Sequence, residues 1–97
     1  MEAVDVNQLD AFKAAVLFAQ TESIIPAPES SHAIATVIRE AEKAKEEGKH
    51  KTILFNLSCH GLIDMASYDQ YFAGDLSNYE LTEADLAKSI DTLEKII

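Results

Sequence analysis

Apolar positions recur at helical spacing in four stretches of the sequence, which predicts four helices. The first helix is expected over residues 6–21, with Asp5 and Gln8 as a capping pair at its start. The second helix is expected to begin near Ser30, since serine is a good N-cap, and to stop at Gly48. The apolar faces of these helices consist of Leu9, Phe12, Val16 and Ala19, and of Ile34, Val37, Ile38 and Ala41.

The third and fourth helices follow in the second half of the chain. The third is expected over residues 64–73 and is ended by Gly74. The fourth begins at Thr82, an N-cap with Asp85 three residues further on. The inward-facing residues are expected to be Met65, Tyr68, Tyr71 and Phe72 in the third helix and Leu86, Ile90, Leu93 and Ile97 in the fourth, with Leu81 and Leu86 as a hydrophobic staple.

Two further segments indicate strands. Residues 52–57 are a nearly continuous apolar run, which is typical of a parallel strand covered on both faces. Ile24 and Ile25 run extended because Pro26 and Pro28 disfavour helix before them. With the helix between them, these segments predict a βαβ unit. The sequence therefore predicts one α/β domain over residues 1–97, with two short parallel strands packed by about four helices.

A two-stranded sheet is a weak independent unit, so this βαβ unit is expected to be part of a larger three-layer fold or to associate with other chains. The net charge is −9, and an acidic chain does not suit nucleic acid or anionic membrane surfaces. The chain has one cysteine, which excludes an internal disulfide and is compatible with the cytoplasmic location we expect.

Ser58 is the first candidate for chemistry because it follows the predicted strand. Ligands of open α/β sheets bind beyond the carboxyl ends of the strands, and a hydroxyl there can donate or accept a hydrogen bond. Gly61 would allow a close backbone approach. Two interpretations stay open for Ser58: a residue that contacts a ligand, or one that stabilises a turn.

Glu29 precedes the N-terminus of the second helix, where negative charge is favourable. It is a capping carboxylate in the simpler interpretation, and Ser30 and Ser31 are caps as well. Helix N-termini can also hold phosphate, but the three glycines of the chain do not cluster into a phosphate loop.

A metal site or a reactive thiol is not expected. Cys59 and His60 are adjacent, which matches neither zinc-ligand spacing nor a nucleophile–base pair, and His32 is remote in sequence. We expect a small buried thiol at Cys59. The carboxylates form no recognisable pair for acid–base catalysis, so no catalytic residue is assigned.

Two linked motifs resemble those of tryptophan synthase beta chains. The first motif, residues 22–33, reads ESIIPAPESSHA, and the second motif, residues 56–61, reads NLSCHG. His60 and the residues around Tyr68 are most similar to the second subgroup of beta chains. The resemblance extends over about residues 5–75 and implies a C-terminal segment of a pyridoxal-phosphate enzyme of fold type II.

The resemblance implies roles for three residues. Ser58 matches the serine that hydrogen-bonds the pyridine nitrogen of pyridoxal phosphate, and Glu29 matches a glutamate close to the ring. Gly61 belongs to the same cofactor-binding turn. The family normally has glycine where Cys59 stands, so a side chain is expected to restrict this turn. The full enzyme would condense L-serine with indole to give L-tryptophan.

The resemblance also implies what this segment does not supply. The Schiff-base lysine and the glycine-rich phosphate loop of the family precede it, and no lysine here matches those motifs. We therefore expect no tight cofactor binding and no turnover by this chain alone. Its partner would be a second copy or a complementing N-terminal chain. Two alternatives stay open: a small interaction protein derived from a truncated gene, and an unrelated α/β domain.

Overall fold

The computed structural model describes residues 1–78 and 82–96 and contains four α-helices, as predicted. A 3-10 turn, Gly61–Asp64, leads directly into the third helix. The helices begin and end within about two residues of their expected positions: α1 is Gln8–Glu22, α2 is Ser31–Glu46, α3 is Met65–Ala73 and α4 is Glu83–Ile96.

Helix α1 lies at the centre of the core and packs on two sides. On one side Phe12 and Ala15 contact the buried Tyr68 of α3. On the other side Ala14 packs against Ile34 and Ala35 of α2. Because α1 is buried on two faces rather than along one stripe, its alanines are as important to the core as the predicted apolar face.

Aromatic rings connect α1 to α3. The rings of Phe12 and Tyr71 stack with centroids 5.3 Å apart, and Tyr68 meets Phe12 edge-on at the same centroid distance. The predicted inward face of α3 is only half confirmed: Tyr68 is buried and Tyr71 is half-buried, whereas Met65 and Phe72 are exposed.

The α/β prediction is wrong, because the described residues contain no strand. Residues 52–57 run extended, with Ile53, Phe55 and Leu57 half-buried and Leu54 96% exposed. This alternation is that of a strand covered on one face. A strand requires a neighbouring strand to satisfy its backbone hydrogen bonds, and within residues 1–78 and 82–96 neither this run nor Ile24–Ile25 forms such a pair. The apolar run was therefore recognised correctly as extended, but not as part of a sheet.

The helix ends show which capping predictions hold. Asn7, not Asp5, is the N-cap of α1, and no side chain of its own caps it. The side chain of Asn78, which is remote in sequence, caps α1 instead, since its Oδ1 accepts from the Leu9 amide at 3.2 Å. The predicted cap of α4 by Thr82 and Asp85 is confirmed, since Thr82 Oγ1 accepts from the Asp85 amide at 3.1 Å.

Helix α4 lies outside the core. Its apolar stripe is exposed, with Leu86, Ile90 and Leu93 each about half accessible to solvent, and no residue of α4 is buried. Leu81, the predicted staple partner of Leu86, and Ile97, which was predicted to continue this stripe, lie outside the described residues. No helix in the described part of the chain has the length and apolar character of a membrane span.

Candidate functional site

The structure brings the two motifs into direct contact. The hydroxyl of Ser30 donates to the backbone carbonyl of Ser58 at 2.5 Å, and the two hydroxyl oxygens lie 3.3 Å apart. Twenty-eight residues separate these serines in the sequence. Ser30 occupies the N-cap position of α2, yet its side chain makes no capping bond. The prediction that it caps the helix is wrong, because its hydroxyl binds the second motif instead.

Gly61 anchors the other end of the second motif. Its amide donates to the Ile25 carbonyl at 2.8 Å. A Cβ on Gly61 would lie 2.6 Å from the Pro26 carbonyl oxygen and 2.7 Å from Cγ2 of Ile25, both closer than atoms tolerate. The close approach that glycine permits here is therefore one between the two motifs themselves.

Tyr68 forms a buried hydrogen bond with the first motif. Its hydroxyl donates to the Pro26 carbonyl at 2.5 Å, and both residues are buried. Burial raises the pKa of the Tyr68 hydroxyl above its ordinary value; a hydrogen bond with Ser31 partly offsets this, and the carboxylates of Asp64 and Glu29 add to it. Glu29 therefore lies in the electrostatic environment of this buried tyrosine.

Cys59 sits at the apex of the turn with a φ of +61°, in the left-handed region that glycine adopts without strain. The resemblance implied a glycine here and a restricted turn, and the backbone has kept the glycine-like conformation. The thiol is exposed, so the prediction of a small buried thiol is wrong. A side chain at a tight, surface-exposed turn has no core to enter.

Glu29 and the histidines are exposed around the turn. The Glu29 side chain takes part in none of the hydrogen bonds found within the described residues, so it does not cap α2 there. His60 Nδ1 accepts from the Leu62 amide at 3.2 Å, which caps the 3-10 turn. Within residues 1–78 and 82–96, no cluster of His, Cys, Asp and Glu has the arrangement of a metal site.

The start of α2 has little capacity left for an anion. The Ser31 amide donates to the carbonyls of Ala27 and Pro28, and the His32 amide donates to Glu29. These are the groups that would hold a phosphate at a free helix N-terminus. The lysines lie on α1, the far end of α2, the segment after it, and α4. The Ser58 hydroxyl is exposed, and among the described residues no lysine lies within either motif.

The assignment of Ser58, Glu29 and Gly61 to a cofactor site stays a prediction, and sequence reasoning did not anticipate the contact that joins the motifs. Ser30 was assigned to a cap because serine before a helix usually caps it. Tyr68 was assigned to the core without its hydroxyl bond to Pro26. A signal was available in the sequence: a buried tyrosine needs a partner for its hydroxyl, and the proline segment before α2 offers backbone carbonyls as acceptors.

No family model matches the chain. Among curated proteins, tryptophan synthase beta chain 2 of Methanosarcina mazei is 63% identical over 76 residues, which are 78% of this chain and 17% of that protein. Tryptophan synthase beta chain 2 of Aquifex aeolicus is 54% identical over 78 residues, 80% of this chain and 18% of the relative. The Pyrococcus furiosus protein of the same name is 44% identical over 91 residues, 94% of this chain and 20% of the relative.

The chain thus spans about a fifth of the length of the curated relatives it matches. Identity of this degree over most of the chain does not arise by chance, and it includes the region that holds both motifs. The chain belongs to the tryptophan synthase beta chain family and corresponds to a C-terminal segment of the second subgroup.

Proposed function

We propose that this chain forms the wall that contacts the cofactor ring in a pyridoxal-phosphate-dependent tryptophan synthase beta-like enzyme. The observation that carries the proposal is the contact between the two motifs through Ser30 and Ser58. It keeps the Ser58 hydroxyl on an exposed turn beside the residue that follows Glu29. The three residues proposed to contact the cofactor are Ser58, Glu29 and Gly61.

Pyridoxal phosphate supplies an electron sink for carbanion chemistry when it is bound. Ser58 would hydrogen-bond the pyridine nitrogen through a neutral hydroxyl, which does not favour protonation of that nitrogen as a carboxylate would. The ring is then a milder sink, which suits elimination and replacement at the β-carbon of serine. Synthesis of L-tryptophan from L-serine and indole is the reaction that we propose for the complete enzyme.

Gly61 would act through the backbone in this proposal. Its buried position under the Pro26 carbonyl sets the distance between the motifs. Glu29 would remain a charged neighbour of the ring, since its carboxylate is exposed and takes part in no described hydrogen bond.

We propose a cytoplasmic location for the enzyme.

The chain alone is proposed to be inactive because none of its lysines matches the Schiff-base motif of the family, and Lys43 and Lys51, which lie between the two motifs, are far from Ser58. Lys43 is 13 positions beyond Ser30 on α2, which at 1.5 Å per residue is roughly 20 Å. Lys51 is seven positions from Ser58 along an extended segment, which at the rise of an extended chain is roughly 23 Å. Neither can reach a cofactor whose ring contacts Ser58. The partner that completes the site would carry the lysine.

Two measurements test this proposal. The purified chain, incubated with pyridoxal phosphate, L-serine and indole, should yield no tryptophan by chromatography, and measurable synthesis would contradict the inactivity. A polypeptide that carries the remaining part of a beta chain should restore synthesis when it is added. Ser58→Ala should lower the restored rate, whereas Ser89→Ala on α4 should not. Equal rates for both variants would refute the ring-contact role.

A second candidate function, association through apolar surface, is favoured by the exposure of several large side chains. Leu54 is 96% exposed, Ile63 83%, Phe72 70% and Leu62 65%. Exposed apolar surface of this kind marks interaction sites. A stand-alone interaction protein, with a second copy of the chain as its partner, would use these residues.

Light scattering over a range of concentrations tests the second candidate. The chain should form dimers or higher oligomers, and Leu54→Thr together with Phe72→Ser should shift it toward monomer. Val4→Thr, which changes an exposed apolar residue near the N-terminus, serves as the matched control. A stable monomer at high concentration would exclude this function.

A further inference from the structure

We infer that Ser30 is a positioning residue that holds the turn and the hydroxyl of Ser58 for contact with a ring nitrogen. The inference rests on the proposed function for the identity of the ligand, but its geometry does not. Ser30 contacts two atoms of Ser58 at once, the backbone carbonyl at 2.5 Å and the hydroxyl at 3.3 Å. Ser30 itself lies outside the set of residues assigned to the cofactor.

The donor at each contact follows from counting protons. A serine hydroxyl has one proton to donate and two lone pairs that accept. The Ser58 carbonyl can only accept, so the short bond uses the single proton of Ser30. At the hydroxyl–hydroxyl contact, Ser30 therefore has only lone pairs to offer, and Ser58 must be the donor. Ser58 cannot receive a proton from Ser30.

This arrangement has a consequence for the ligand. The proton of Ser58 rests in a long contact of 3.3 Å, well beyond the usual 2.7–2.8 Å of hydroxyl pairs. A ring nitrogen with a free lone pair can replace that contact at little cost. A protonated ring nitrogen is itself a donor. It would donate to a lone pair of the Ser58 hydroxyl, while Ser58 would continue to donate its own proton to Ser30. An unprotonated heteroaromatic nitrogen would therefore take the Ser58 proton from this long contact, and the hydroxyl is held where either form of the nitrogen can reach it.

The two contacts also divide the work of positioning. The short bond to the carbonyl fixes the backbone just before Cys59, the residue in the left-handed conformation. At the other end of the turn, the Gly61 amide is held by Ile25. The long contact selects one staggered rotamer of Ser58 without binding its hydroxyl tightly. The turn is thus fixed while the hydroxyl remains available.

NMR of the chain without cofactor tests the inference directly. In the wild type, the couplings from Hα of Ser58 to its two β-protons should differ, because one rotamer dominates. Ser30→Ala should collapse them to a common averaged value, and Ser30→Thr, which retains a hydroxyl, should restore the difference. Thr36→Ala removes an exposed hydroxyl bond to the His32 carbonyl further along α2 and should leave the couplings unchanged.

Unchanged couplings in Ser30→Ala, or equal averaging in Thr36→Ala, would overturn the inference. A loss of fold in Ser30→Ala would appear as collapse of the Tyr68 resonances too, in which case Ser30→Thr decides: averaged Ser58 couplings in a folded Ser30→Thr chain also overturn it. The result expected is averaging at Ser58 with Tyr68 unaffected.

Titration with pyridoxal phosphate separates this inference from the proposed function. Wild-type Ser58 resonances should shift, and Ser30→Ala should weaken the apparent affinity roughly tenfold, the effect of about one hydrogen bond. If wild-type Ser58 does not respond to the cofactor, the proposed ring contact fails while the couplings still decide on Ser30. If Ser58 responds equally in wild type and Ser30→Ala, the ring contact stands and the positioning role is refuted.

Discussion

Within residues 1–78 and 82–96, two residues other than glycine adopt the left-handed backbone conformation: Ser23 at the end of α1 and Cys59 in the second motif. A Cβ in that conformation crowds the following carbonyl and costs about 1–2 kcal/mol. Ser23 gains a helix-ending bond in return, since its amide donates to the Ala19 carbonyl at 3.0 Å. Cys59 has no such bond of its own, so its strain is borne by the contacts of Ser30 and Gly61 on either side.

Cys59→Gly should stabilise the chain. Relief of the strain should raise the free energy of unfolding by about 1–2 kcal/mol. The greater conformational freedom of glycine in the unfolded chain should lower it by about 0.4–1 kcal/mol. Urea denaturation should therefore show a net gain of about 0.5–1 kcal/mol in the free energy of unfolding. Cys59→Ala keeps the Cβ and should change little. An equal gain for both variants would mean that the thiol, not the backbone, is unfavourable.

Gly61→Ala should destabilise by steric overlap. The added Cβ would lie 2.6 Å from the Pro26 carbonyl oxygen, a backbone atom that cannot move aside without shifting the first motif. We expect a loss of about 2–3 kcal/mol, in the upper range of overpacking effects. Gly48→Ala is the matched control, since open space surrounds Gly48 and only its φ of +66° resists a side chain, at about 1 kcal/mol.

The pH dependence of stability should report on Tyr68. Burial raises the pKa of its hydroxyl in the folded chain above 10.0, so folding favours the neutral phenol. The resulting stability is fully present below the unfolded pKa and is lost as pH rises through the folded pKa. Thermal unfolding measured between about pH 9 and pH 11.5 should show this alkaline loss.

Tyr68→Phe should remove much of that alkaline loss, although the lost bond to Pro26 lowers stability at neutral pH by about 1 kcal/mol. Tyr71→Phe changes a half-buried neighbour and should retain the wild-type pH profile. Identical alkaline profiles for wild type and Tyr68→Phe would show that another group is responsible.

At the scale of the elements, helices could be predicted and strands could not. The signals for α1 to α4 are local: apolar spacing, Thr82 with Asp85, and glycines where the chain turns left-handed. A strand depends on a partner that no local pattern supplies. Residues 52–57 were read correctly as extended, but the described residues pair them with no strand, so the predicted sheet was wrong. The candidate site follows the same division: Ser58, Glu29 and Gly61 were predicted by resemblance, which remains untested, and the Ser30–Ser58 contact is non-local, so no local pattern predicts it.

Helix α4 should be the least protected of the four. It has 14 residues and buries none of them, and isolated helices of that length are marginal in water. Amide hydrogen exchange should be fast in α4 and slow in α1. Thr82→Ala, which breaks the capping box, should speed exchange in α4 without lowering the urea midpoint of the core. Protection in α4 equal to that in α1 would show that a partner covers the helix.

At the scale of the whole molecule, the core buries little apolar surface because most of its residues are small. In the part of the chain that the structure describes, alanine accounts for six of the nine buried hydrophobic residues, and Phe12, Ile34 and Tyr68 are the larger members. Alanine buries little apolar area, so each contributes little to stability. Several large apolar side chains remain outside instead. This distribution is what a segment cut from a larger core would have, and it leaves the stability sensitive to long-range electrostatics.

The net charge of −9 should make that stability depend on salt. The three described ion pairs, at Lys49, Lys51 and Lys95, are all exposed, and such pairs contribute only about 0–1 kcal/mol each. Repulsion among the excess carboxylates is the larger effect. Raising ionic strength from about 0.01 M to about 0.15 M shortens the screening length from about 30 Å to about 8 Å. Salt should therefore stabilise the chain.

Circular dichroism should show a rise of about 4 °C in the thermal midpoint over that range, the shift that about 1 kcal/mol produces in a domain of this size. The matched variant carries Asp69→Asn, Asp75→Asn and Glu94→Gln, three exposed positions outside the motifs. Because it has three fewer negative charges, it should start from a higher midpoint at low salt and respond less. A fall in midpoint with salt would instead mean that the exposed ion pairs outweigh the repulsion.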